Sequence, residues 1–439
     1  MVQLAAQHGV FVTHRERWAL GAWAGLIALG AMIGASLNAA HWHIVLSAPP
    51  ILADFVDRPR FGIVLPIAVA AAMIRWLPGL TSRLSWRKLL VVVATAAACW
   101  TLALSLAEGT SGLTRGPSWH TEYLTDVPAV RADPAAFLRG FTTNIARYEV
   151  HVRGHPPGMV LLLAGLDHIG LTGAGGEAAL VITLASTAPV AVMLVLRQVA
   201  GEQSARLAGT WLVLTPAAIW IATSADALYM TIGAWAIACV VLASTRRWIA
   251  GVALAVGGGI LGALTLLGSY GLVLLAVVPI SVLWSRRREA AVRRTVIVSA
   301  ATVVGLLVAM LPLGYSWIAG LRATKHEYFV LDLNRPYWAF IFINPAAWAL
   351  ALGPATFMGL SLLRDRRLWT LVGGAIAAAA LANLSGLSSG EVERIWLPFT
   401  IWVLPAAVAL SAARSSARLG LILQATSAIA LISIVTTQW

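Results

Sequence analysis

Five stretches of the chain carry side chains suited to acid–base or anion-binding chemistry. In WHTEYLTDVP, Glu122 and Asp126 stand four residues apart, so on a helix both carboxylates share one face. Two close carboxylates beside a low-dielectric surface push one pKa upward, which suits a general base. A solvated loop helix has the same pattern, with Asp133-Pro134 capping the next turn. In HVRGHPPG, His151, Arg153 and His155 fall within five residues. Gly154 permits close backbone approach, and Pro157 fits the first turn of a helix. With the free N–H groups of that helix start they form a phosphate site; the competing account is charge snorkelling at an interface. Asp226, in IATSADALYM, is either a substrate contact or part of a helix start capped by Ser224. Residues 321–338 gather Arg322, Lys325, His326, Glu327, Tyr328 and Arg335 with aromatics. That mixture suits an anionic lipid head or a sugar, while aromatic-belt anchoring equally explains Tyr337 and Trp338. Last, SGLSSGEVERIWLPF sets Glu391, Glu393 and Arg394 at the mouth of an apolar run, for function or for an internal Arg–Glu pair.

The elements that must position these groups are membrane helices. Hydrophobic residues make up 59% of the chain and charged residues 11%, against about 25% charged in a soluble domain. Apolar runs of 17 to 25 residues recur throughout. They are too long and too continuous for barrel strands, so the expected class is all-α, polytopic and membrane-embedded. The runs predict 13 spans near 17–38, 61–79, 88–107, 177–197, 204–222, 225–244, 248–267, 269–284, 294–317, 338–363, 368–386, 396–412 and 417–436. The first is expected to be a retained span, not a cleaved leader. The net charge of +13 comes from basic residues scattered at helix ends, which sets orientation and does not suggest nucleic acid. Lys88 and Lys325 are the only lysines among 31 basic residues, a bias that fits a GC-rich source. Cys99 and Cys239 sit in apolar runs, and no HExxH, Walker A, GxSxG or CxxC motif occurs.

Charge then decides topology. With HRER (14–17) cytoplasmic, the positive-inside rule asks the same of RLSWRK (83–88), Arg197 to Arg206, Arg246-Arg247, RRREAAVRR (286–294), RDRR (364–367) and Arg414 to Arg418. This works only if segment 157–173 does not cross. Its helical part, Pro157 to Gly170, reaches roughly 21 Å against a hydrocarbon core of ~30 Å. The inner side then holds 20 of the 31 Lys and Arg. Most acidic residues fall outside, among them Asp54, Asp57, Glu108, Glu122, Asp126, Asp133, Glu149, Asp226, Glu327, Asp332, Glu391 and Glu393. The chain divides into N-terminal transmembrane helices (1–108), an extracytoplasmic catalytic loop with juxtamembrane helices (109–176), and a transmembrane core with C-terminal helices (177–439). Loop 109–156 is too long to be a mere connection, and Trp119, Tyr123, Phe137, Phe141 and Tyr148 give it the means to pack.

These stretches resemble the GT-C superfamily of integral-membrane glycosyltransferases, in particular the protein O-mannosyltransferase and aminoarabinose transferase branch. HTEYLTDVP matches the acidic outer-loop element, and His155-Pro156-Pro157-Gly158-Met159 is similar to the HPPL or KPPL signature about 30 residues later. SADALYM is similar to a Ser/Asp turn of the family, and ERIWLPF to an Arg-x-x-x-Pro stretch; the similarity covers roughly 109–410. Gly158 in place of leucine is a departure, as are two spans preceding the loop. If those spans are not an addition, loop 39–60 is the equivalent, with Asp54 or Asp57 as base.

The resemblance implies inverting transfer from a polyprenyl-phosphate sugar at the outer face of the plasma membrane. The acceptor is a glycan, glycolipid or protein, with a cell-envelope glycan of actinobacterial type suggested by the arginine bias. Asp126 would be the base and Glu122 its neighbour. Arg153, His155 and Arg394 would neutralise the departing phosphate, with His151, Asp226, Lys325, His326 and Glu391 also contacting substrate. No cofactor is required, although a divalent ion used by some members has Glu122, Asp126 and Asp226 available to it. The competing classes are a lipid-linked-sugar flippase, which calls for internal repeats or mid-membrane charge, and a scaffold subunit without chemistry. Membrane lipids are partners in every case.

Overall fold

The computed structural model describes residues 13–57, 60–222, 224–330 and 335–438, apart from the side chains of Phe329 and Arg414. Asp332, expected on the outer side, lies outside the described residues. The described chain is all-α, save for a two-stranded antiparallel ladder joining Ala53–Phe55 to Val435–Thr437. Among these residues nine helices are long and apolar enough to cross a membrane: His14–Ala39, Phe61–Arg83, Trp86–Glu108, Gly173–Ala200, Ala225–Ala243, Trp248–Gly268, Ala290–Ala309, Arg366–Leu384 and Ser415–Ile434. A tenth candidate, Tyr337–Leu352 with Pro354–Leu362, is bent by 94° where Gly353 and Pro354 interrupt it. The protein is thus an all-α polytopic membrane protein.

Local chemistry sets several of these boundaries. Thr13 and Glu16 form a reciprocal capping box at the start of the first helix. Asp365 takes the N–H groups of Arg367 and Leu368. Ser224 caps Ala225–Ala243, and Asp133 caps Pro134–Gly140, as the sequence suggests for both.

Thirteen uniform spans are not what the structure contains. Besides the bent pair at 338–363, three of the expected spans fall short of a continuous long helix. Region 204–222 is helix Glu202–Val213 followed by the 3-10 turn Pro216–Trp220. Region 269–284 lies within Tyr270–Arg286, whose first seven residues are 3-10, and 396–412 ends in the 3-10 stretch Leu404–Ala412. Pro216 and Pro405 stand at the start of two of these 3-10 stretches, whereas Tyr270–Ala276 has no proline. A 3-10 residue rises ~2.0 Å against ~1.5 Å for α, so each segment still extends roughly 28 to 30 Å. Gly158–His168, in contrast, is an 11-residue α-helix, too short to cross.

One continuous hydrophobic core runs from Ala48 to Val435. The first helix packs on the bent Tyr337–Leu362 pair, and Trp23 donates its indole N–H to the Ala349 carbonyl at 2.9 Å. The arginine-rich connections gather at one end of the bundle. Arg206 donates to the carbonyls of Thr81 and Leu84, Arg197 pairs with Glu202 at 2.7 Å and lies over the Trp86 ring, and Arg294 reaches the Arg246 carbonyl. At the opposite end Arg394 reaches Asp226, Tyr270 meets Tyr315, and Arg60 pairs with Glu108. Groups assigned to opposite sides by charge counting therefore lie at opposite ends. In intact cells a membrane-impermeant maleimide is expected to label Ser118→Cys, and Ala290→Cys only after permeabilisation; the reverse pattern overturns the orientation.

Candidate functional site

At the end of the bundle carrying loop 109–156, the Arg394 guanidinium is 5% exposed and joins three distant parts of the chain. Its Nη1 donates to Asp226 Oδ2 at 2.6 Å. Its Nη2 donates to Glu391 Oε2 at 2.6 Å and lies 2.9 Å from His151 Nε2. His151 Nδ1 is 2.9 Å from the Thr121 carbonyl, which can only accept, so that nitrogen carries the proton and Nε2 is left to accept from Arg394. Glu122 Oε1 lies 3.3 Å from the same Nε2. Arg335 Nη2 approaches the other oxygen of Glu391 at 3.5 Å.

Each group is delivered by a local device. Asp226 stands in the first turn of Ala225–Ala243, with the Ser224 hydroxyl donating to its carboxylate at 3.1 Å. His151 rides the short helix Val150–Gly154, and its N–H donates to the Thr121 carbonyl, so one residue of the loop holds both backbone and ring. His155 stacks on His151 with ring planes 6° apart and bonds through Nδ1 to the His151 carbonyl. Beneath them the hydroxyls of Tyr123 and Tyr229 meet at 3.2 Å. One turn deeper than Asp226 and Arg394, a narrow and mostly apolar cavity is lined by Ala97, Thr101, Met230, Leu397, Thr400 and Leu404.

Electrostatics follow from burial and pairing. Burial works against a charge on Arg394, but Asp226 and Glu391 outweigh it and raise its pKa above the ordinary value. Burial likewise pushes the Glu391 carboxyl up, while Arg394 and Arg335 pull harder and hold it at about 2. Desolvation lowers His155 to about 4, so it brings no positive charge at neutral pH. Glu393 is fully buried, and neither carboxylate oxygen meets a hydrogen-bond donor among the described residues. Burial, with the Glu391 charge adding to it, raises Glu393 to about 8.

The structure brings together Glu122, His151, His155, Asp226, Glu391 and Arg394, and leaves other expected residues apart. Glu122 and Asp126 do not share an α-helical face, because the residues between them, Tyr123–Thr125, form a single 3-10 turn. Glu122 turns to His151, whereas Asp126 Oδ2 accepts the Glu149 N–H at 2.9 Å. Asp126 is half-buried, and burial raises its pKa. Arg153 spends its guanidinium on the carbonyls of Ala146 and Tyr148 and faces Glu327 at 3.7 Å, bracing the loop against helix Trp317–Val330. Lys325 and His326 are exposed on that helix, outside the cluster. Asp54 and Asp57 are exposed at and beyond the small ladder.

Among the described residues no group of three or more His, Cys, Asp or Glu side chains is arranged to hold a metal ion; Glu122 faces His151, Asp226 faces Arg394 and Asp126 faces the Glu149 N–H. Glu177, which charge counting passes over, is buried in the first turns of Gly173–Ala200, with one carboxylate oxygen lacking a partner among the described residues. An acid at the start of an apolar run was the available signal.

Two tests follow from this geometry. Gly158 explains the altered proline motif: a Cβ there would meet the Leu267 carbonyl oxygen at 2.3 Å. Gly158→Leu is expected to cost about 1–3 kcal/mol, read as a lower thermal midpoint in detergent; an unchanged midpoint contradicts the close approach. Glu393 is protonated in the folded state up to about pH 8, while the unfolded carboxyl ionises near ~4.3. Between those values the native state binds more protons, so stability falls as pH rises. Glu393→Gln is expected to flatten that decline and raise the midpoint at pH 8; equal slopes in the two proteins refute it.

No family model and no curated protein matches this chain. Among solved structures it is similar to the apo crystal structure of the Archaeoglobus fulgidus oligosaccharyltransferase, with a TM-score of 0.48 and 13% sequence identity. The match covers 80% of this chain and 57% of that one.

Proposed function

We propose that this protein is a GT-C-like glycosyltransferase that takes a sugar from a polyprenyl-phosphate donor. It transfers the sugar to a glycan, glycolipid or protein acceptor outside the plasma membrane. The observation that carries this reading is the convergence on Arg394 of His151 and Asp226, from segments far apart in sequence, with Glu391 from its own turn and Glu122 beside His151, at one end of an apolar bundle. Such a place suits a substrate with a charged head and a hydrocarbon tail, and the mostly apolar cavity one turn below supports the same assignment. The topology proposed with it has 13 crossings, the three partly 3-10 segments included.

In the proposed reaction Asp126 takes the proton of the acceptor hydroxyl. The acceptor oxygen forms a bond to the anomeric carbon from the face opposite the phosphate. The bond from that carbon to the phosphate oxygen breaks, and the polyprenyl phosphate leaves with the electron pair. A half-buried carboxyl of raised pKa suits the first step. A fixed guanidinium suits the last, as charge builds on the leaving oxygen. His155, neutral at pH 7, contributes shape and hydrogen bonding there, and Arg153 supports the loop.

Asp126→Asn is expected to lower transfer of labelled sugar from a polyprenyl-phosphate donor to membrane acceptors by about 10²- to 10⁴-fold, with the thermal midpoint retained. Undiminished transfer removes Asp126 as the base. Movement of donor across vesicles with no glycosidic product would instead establish the flippase alternative.

A further inference from the structure

We propose that Arg394 and Arg335 together form a binding site for a phosphoester anion, and that Glu391 occupies this site as an internal stand-in which swings out when the phosphate arrives. The inference rests on the reading above for the lipid that delivers the phosphate, and it adds a gate to that site.

Glu391 presents one carboxylate oxygen to each guanidinium, Oε2 to Arg394 at 2.6 Å and Oε1 to Arg335 at 3.5 Å. A phosphate group offers the same pair of outward oxygens, with more charge to share between two arginines. The arginines are fixed before any ligand is present. Arg335 donates to the carbonyls of Ile44, Val45 and Ser389, which orient it without neutralising it. Arg394 is anchored by Asp226. Departure of Glu391 therefore leaves two oriented guanidiniums beside Asp226 and, next to His151, Glu122, with the place between the arginines open to an incoming anion.

Glu391 is also the member of the trio built to move. Its side chain is 18% exposed, against 6% for Arg335 and 5% for Arg394, so it covers them from the solvent side. Its backbone is left-handed, φ 59°, a conformation that L side chains disfavour. Its neighbour Gly390 has φ 87°, and Gly386, with φ 66°, lies at the start of the connection. The two ion pairs hold the side chain, while the backbone turn is held by the Arg394 and Ile395 N–H groups on the Glu391 carbonyl and by the Gly390 N–H on Asn344, so the side chain can leave without unmaking the turn. A glutamate needed only to neutralise Arg394 would require neither the second arginine nor the glycine-flanked turn.

The test uses the full-length protein in detergent with three probes: farnesyl phosphate, farnesol and inorganic phosphate. Glu391→Gln removes the competing anion and is expected to tighten farnesyl phosphate about tenfold, equivalent to ~1.4 kcal/mol. Arg335→Gln is expected to weaken it by a similar factor, and farnesol is expected to bind all forms alike. An inorganic-phosphate affinity with the same dependence on both residues, and as tight as that of farnesyl phosphate, supports the anion site with free phosphate as its occupant. In the wild-type protein, saturating farnesyl phosphate is expected to speed hydrogen exchange in peptide 386–391 while slowing it around His151. Unchanged or weaker binding by folded Glu391→Gln overturns the proposal. Protection of peptide 386–391 does so without any variant. Sugar transfer measured in parallel separates the two readings. Tighter binding without transfer in the wild type removes the glycosyltransferase and keeps the gate, and transfer with binding indifferent to Glu391 does the opposite.

Discussion

A guanidinium withdrawn from water is the constraint around which this end of the molecule is organised. The desolvation of an ion costs several kcal/mol even after the protein relaxes, and only well-placed counter-charges offset it. Arg394 meets that demand with Asp226, Glu391 and the His151 ring. Breaking such an arrangement from one side typically costs about 3–5 kcal/mol, because the partners are left charged and unpaired. The start of helix Ala225–Ala243, the His151 turn and the 391–394 turn are therefore fixed relative to one another by charge as well as by packing. Placement of loop 109–156 follows, since His151 is tied to the Thr121 backbone and Asp126 to the Glu149 N–H.

The cluster separates two duties that arginines share elsewhere in the chain. Arg153 serves carbonyl oxygens and one distant carboxylate, which makes it a brace. Arg394 and Arg335 face a carboxylate that is itself partly open to solvent, which makes them exchangeable in partner. The difference lies in what the guanidinium meets, neutral carbonyls or a displaceable anion, and not in its sequence neighbourhood.

Much of the architecture was legible because the bilayer imposes simple rules. Long apolar runs and arginine placement yielded the helical class, the non-crossing Gly158–His168 segment and the capping roles of Ser224 and Asp133. The 3-10 stretches were not legible, since hydropathy is blind to rise per residue; segments 204–222, 269–284 and 396–412 thus looked like ordinary spans. At the site, residue type singled out His151, Asp226, Glu391 and Arg394, but not their mutual contacts, which link positions up to 243 residues apart. The spacing of Glu122 and Asp126 misled for a local reason. An i, i+4 pair shares a face only on an α-helix, and Tyr123–Thr125 is 3-10. Arg335 acquires its meaning only from Glu391, which the fold sets beside it.

The small ladder between Ala53–Phe55 and Val435–Thr437 ties this arrangement to time. Loop 39–60 is made before the other parts of the site, and it supplies the Ile44 and Val45 carbonyls that orient Arg335. Its strand partner is made several hundred residues later. At a synthesis rate of roughly 5–20 residues per second, the loop waits on the order of 20 to 80 seconds for that partner. Throughout that interval the helices are being inserted one after another while the first strand edge stands open. The anion pocket thus waits on residues 391–394, and a chain that stops short of them cannot hold a substrate there.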